Sequence, residues 1–76
     1  MPKLPVLSGK EVMKALEKTG FRFVKQKGSH VKLRKVDANG KKTVIVPLKP
    51  VIRTGTLNSI LRQAHLALEE FKNLIK

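Results

Sequence analysis

With 76 residues the chain has room for one core between two layers, and at this length only about 60% of the unfolded surface is buried on folding. Cysteine is absent, which excludes disulfides and thiolate zinc sites as staples, while 41% hydrophobic and 29% charged residues suit a folded globule better than a disordered tail. The 17 Lys and Arg against 5 Asp and Glu leave a formal charge of +12, a field that draws phosphate backbones or anionic membrane surfaces.

No apolar run approaches the roughly 20 residues of a spanning helix. Met1 to Leu7 carries one Lys and lacks the apolar stretch of a secretory signal, so the expected compartment is the cytoplasm and no membrane partner is expected. Pro2 and Pro5 mark an extended lead-in. A helix is predicted over Ser8 to Thr19. Ser8 and Glu11 have capping-box spacing, Leu7 and Val12 have the spacing of a hydrophobic staple, and Val12, Ala15, Leu16 and Thr19 share one face. Gly20 supplies the stop.

From Phe21 the period becomes two. Phe21 and Phe23 fall on one side of a first strand, which Lys27-Gly28-Ser29 ends. Gly20 to Val24 superficially echoes an RNA-binding aromatic box, but a helix precedes the strand, and both phenylalanines are more simply read as core. A second strand over His30 to Val36 sends Val31 and Leu33 to one face and His30, Lys32 and Arg34 to the other. Asp37-Ala38-Asn39-Gly40 reads as a hairpin, with Asn39-Gly40 as a type I′ loop. That register sets Leu33 against Val46, Val31 against Leu48, Arg34 against Ile45 and His30 roughly against Lys49. A third strand runs from Lys41 to Val46 and ends near Pro47.

Beyond a loop over Leu48 to Thr54, apolar residues recur with helical spacing at Leu57, Ile60, Leu61, Ala64, Leu68, Phe71 and Ile75. The stripe fits one helix from about Thr56, or two broken near His65-Leu66-Ala67. The fold class is α+β in the order α-β-β-β-α: a three-stranded antiparallel sheet with helices on one face, in one domain spanning residues 1–76.

His30 is the candidate for chemistry. An imidazole exchanges a proton near neutral pH, and clustered cations stabilise charge on a phosphate, so His30 among Lys32, Arg34 and Lys49 could cleave a phosphodiester. Equally, it could be a surface histidine on a solvated basic face. Gly28 and Ser29 could offer N–H groups and a hydroxyl to phosphate, or simply form a turn. Lys25, Lys27, Lys41, Lys42 and Arg22 add charge to the same strands. His65 reads as a capping or surface residue. The two histidines and Glu11, Glu17, Asp37, Glu69 and Glu70 show no metal-ligand spacing, so no metal or other cofactor is expected.

Ser8-Gly9-Lys10-Glu11, Gly20-Phe21, Lys27-Gly28-Ser29-His30, Val46-Pro47-Leu48, Gly55-Thr56-Leu57, Ile60 to Ala64 and Glu69-Glu70-Phe71 together resemble the HicA family of toxin components over nearly the whole chain. The resemblance implies a fold similar to the double-stranded RNA-binding domain, mRNA cleavage, neutralisation by a HicB-like antitoxin, and a catalytic His30. Many relatives carry a second histidine where this chain has Lys49. Where relatives often have glycine and a Ser or Thr cap between the last helices, it has His65 and Ala67.

The reading is then a toxin of a toxin-antitoxin system, a metal-independent endoribonuclease acting on mRNA. His30 is its catalytic residue, and Lys27, Gly28, Ser29, Lys32, Arg34 and Lys49 bind RNA. The alternative is a non-catalytic RNA-binding module using the same basic sheet face. DNA lacks the 2′-hydroxyl nucleophile and is not an expected partner. An acidic antitoxin surface could cover that face, with Val36 and Ile45 as apolar footing.

Overall fold

The computed structural model describes residues 6–75, and the lead-in expected around Pro2 and Pro5 lies outside the described residues. The elements run α1 (Gly9–Glu17), β1 (Arg22–Lys27), β2 (His30–Asp37), β3 (Gly40–Pro47), α2 (Thr54–Ala64) and α3 (Leu68–Leu74). This is the expected α+β order, with the C-terminal stripe broken into two helices.

Ser8 caps α1 as its spacing implies: its hydroxyl accepts the Glu11 N–H at 3.2 Å, and its own N–H donates to the Glu11 carboxylate at 3.0 Å. Two donors that a bare helix start would leave unmet are thereby satisfied. Gly20, at φ +106°, turns the chain towards the sheet, a conformation that costs a residue without Cβ little.

The sheet order is β1-β2-β3, antiparallel throughout. Val31, Leu33, Val44 and Val46 on its covered face join Val12, Ala15 and Leu16 of α1, Leu57, Ile60, Leu61 and Ala64 of α2, and Phe71 of α3 in one buried cluster. Leu7 and Ile52 join as well, bridged by the Ile52 N–H donating to the Leu7 carbonyl at 2.7 Å. Each of these side chains sits on the face that its period assigns.

The β2-β3 register departs from expectation by two residues. Leu33 faces Val44, Val31 faces Val46, Arg34 faces Thr43, and His30 faces Pro47 rather than Lys49. Asp37 pairs with Gly40, so Ala38-Asn39 is the loop. A type I′ turn requires positive φ at both central residues; neither has it, and Gly40 takes φ +113° instead. Asp37 at the first position accepts the Asn39 N–H at 2.9 Å, the side-chain chemistry that favours a type I turn closed by glycine.

A second correction concerns Phe23. Phe21 is buried, but Phe23 is 55% exposed. The pairing skips between Phe23 and Lys25, leaving Val24 as a bulge. Phe23 does share the face of its partner Leu33. However, β1 is one edge of the sheet and the helices pack chiefly on β3, the other edge, so all of β1 stays exposed.

His65 makes the break between α2 and α3 by adopting the left-handed conformation, φ 57° and ψ 39°. Its N–H donates to the Arg62 carbonyl at 3.2 Å and that of Leu66 to Leu61 at 3.0 Å, the paired bonds of a Schellman ending. Ala67 has no side chain to cap α3; Glu70 compensates by accepting the Ala67 N–H at 3.1 Å.

Candidate functional site

The open face of the sheet follows from the register. Arg22, Lys25 and Lys27 of β1, His30, Lys32, Arg34 and Val36 of β2, and Lys41, Thr43, Ile45 and Pro47 of β3 share it. All of its charged residues are cations. Asp37, the acid nearest in sequence, falls on the other face, where its carboxylate meets the Lys42 ammonium at 3.1 Å. That contact first, and the Asn39 N–H second, hold the Asp37 carboxyl below its ordinary pKa. Lys42, expected with the basic strands, is thereby withdrawn from the open face.

His30 is exposed and opens β2, between Lys27 on one neighbouring strand and Pro47 on the other. The tight Gly28-Ser29 loop presents it. Only Gly28 has positive φ, at +59°, the pattern of a type II′ hairpin turn. Gln26 braces the loop by donating to the Gly28 carbonyl at 3.0 Å. The Ser29 carbonyl accepts the Leu48 N–H at 2.6 Å, and the Lys49 carbonyl accepts the Gly9 N–H at 2.8 Å. The turn before His30, the segment after β3 and the start of α1 are thus tied together by backbone bonds.

The expected phosphate contacts divide accordingly. Lys27, Gly28 and Ser29 adjoin His30 at one end of the face. Lys32, half-buried, lies between Lys25 and Ile45, and Arg34 between Arg22 and Thr43. Arg34 Nε is buried without a hydrogen-bond partner among the described residues. Lys49 is exposed but sits two residues beyond the partner of His30, so it belongs to the segment tied to Ser29 and not to the strand pair. Arg22, Lys25 and Lys41 widen the cationic field beyond the residues picked from the motif. Their alternation with the core residues carried that signal, but only through the register. Val36 and Ile45 are 66% and 38% exposed on this same face.

Among the described residues no group of three or more His, Cys, Asp or Glu could hold a metal ion, and no helix is long and apolar enough to cross a membrane. A family model described as "HicA toxin of bacterial toxin-antitoxin" matches residues 9–66. The chain belongs to the HicA toxin family. The match takes in α1, the whole sheet and α2, and so includes His30 and the turn before it. Comparison with curated proteins returns no match. As a HicA toxin, the protein is one half of a toxin-antitoxin pair, whose other half is its antitoxin.

Proposed function

We propose that this HicA toxin is a metal-independent endoribonuclease that cleaves mRNA in the cytoplasm, as one domain over residues 1–76, with His30 as its catalytic residue. The observation that carries the reading is an exposed imidazole at one end of a sheet face whose charged residues are all cations.

His30 takes the proton of a ribose 2′-hydroxyl as its oxygen attacks the adjacent phosphorus. The P–O5′ bond breaks, leaving a 2′,3′-cyclic phosphate and a 5′-hydroxyl end. The other histidine, His65, ends α2 and is not on this face, so water protonates the departing oxygen and the hydroxide left takes up the proton from the His30 imidazolium. Lys27, Lys32 and Arg34, with the Gly28-Ser29 turn and Lys49 alongside, hold the phosphate and offset the charge growing on it.

Purified toxin in chelator should cut a labelled RNA, and His30→Ala should abolish cutting while keeping the melting temperature. A 2′-deoxy nucleotide at the scissile position should block cleavage, and cleavage surviving it would refute the mechanism. One observation favours a binding-only reading: among the described residues no hydrogen bond orients the His30 ring. That reading requires salt-sensitive RNA binding with no fragments in the same assay.

A further inference from the structure

The second face of β1 is not used by the proposed chemistry. Phe23 lies on the side of the sheet opposite His30, 55% exposed, and the bulged Val24 beside it is 41% exposed. Among the described residues nothing pairs with the outer edge of β1. An open edge presents N–H and C=O groups ready for another strand.

Lysines and a bulge are also the devices by which edge strands avoid pairing with their own copies. Arg22, Lys25 and Lys27 serve that purpose here. A second copy brought edge to edge would set these cations against their equivalents, on chains that each carry +12. The same residues attract an acidic strand, so the edge discriminates by charge and not by closure.

We propose that the outer edge of β1, with Phe23 as its apolar anchor, docks an acidic β-strand of the toxin's own antitoxin, extending the sheet to four strands. Backbone bonds supply the adhesion, Phe23 and Val24 supply apolar area, and Arg22, Lys25 and Lys27 select for acidic side chains. This contact runs along the sheet edge: Phe23 meets the antitoxin on the side away from His30, while Arg22, Lys25 and Lys27 meet it from the phosphate face.

The test uses the toxin in complex with the antitoxin encoded beside it. Hydrogen exchange at the β1 amides that point to the open edge, and so do not pair with β2, should be fast in the free toxin and slow in the complex. Phe23→Glu should weaken antitoxin binding roughly tenfold or more, by setting an acid against acids, and should leave RNA cleavage by the free toxin unchanged. Phe23→Ser should weaken binding less.

Unprotected edge amides of β1 in the complex, or parental affinity in Phe23→Glu, would overturn the proposal. So would β1 protection that grows with the concentration of free toxin, since that marks self-pairing. The exchange measurement needs no variant and holds even if Phe23→Glu fails to fold. Failure of the nuclease reading would show as absent cleavage and leave these readouts intact.

Discussion

Two glycines frame His30, and they are constrained for different reasons. Gly9 opens α1 against the segment after β3. A Cβ there would overlap the Pro47 carbonyl oxygen and stand 2.8 Å from Leu48 Cα. Both neighbours are backbone, so no rotamer change relieves the clash. Gly9→Ala should therefore push α1 off that segment and destabilise the fold by about 1–3 kcal/mol. The displaced segment includes Leu48, whose N–H holds Ser29, so cleavage should fall as well. Gly28 has open space around it and φ +59°, so Gly28→Ala meets only the strain of a left-handed residue, about 1–2 kcal/mol. Thermal melts separate the two cases: an unchanged midpoint in Gly9→Ala would mean that helix and segment are not in close contact.

At the scale of elements, the hairpin tip shows what sequence pattern conveys and where it stops. Capping of α1, the buried stripes and the division of β2 into an apolar and a cationic face all follow from local chemistry and period, and they were legible. The β2-β3 register was not. A slip of two residues returns every side chain to the same face, so apolar matching cannot tell Leu33–Val46 from Leu33–Val44. Turn chemistry decides it, through Asp37 accepting the Asn39 N–H and the positive φ of Gly40. Phe23 was misplaced because alternation says which side a residue takes and not whether a helix covers that side.

The same tip gives a pH dependence. Because Lys42 and the Asn39 N–H depress the Asp37 carboxyl, its stabilisation is complete above the ordinary carboxylate range and is lost as pH falls through the lowered value. Asp37→Asn should remove that acid-side contribution, seen as a flatter melting midpoint below about pH 4. At the other end, the break after α2 rests on His65 in the left-handed region. His65→Val should cost about 1 kcal/mol or more, since a β-branched residue resists that conformation. His65→Gly should melt no lower than the parent.

For the molecule as a whole, salt should act on folding and on RNA binding in opposite directions. A charge of +12 on 76 residues repels itself most when the chain is compact. The described residues hold only one ion pair, Lys42 with Asp37, to offset it. Added salt screens the repulsion over a Debye length of about 10 Å at 0.1 M, so the melting temperature should rise. RNA binding responds the other way, because each phosphate that a Lys or Arg neutralises releases a counterion. With Arg22, Lys25, Lys27, Lys32, Arg34 and Lys41 engaged on the open face and Lys49 beside it, log K should fall against log salt with a slope of about −5 for a single strand. Replacing Lys27, Lys32 and Arg34 by Gln should bring that slope to about −3, since three phosphate contacts go while the other cations stay. The triple variant should also melt higher at low salt, having less repulsion to overcome. A slope near zero in the parent would mean that the cations on this face do not meet the RNA backbone, and an unchanged slope in the triple variant would move the contact to another surface of the toxin.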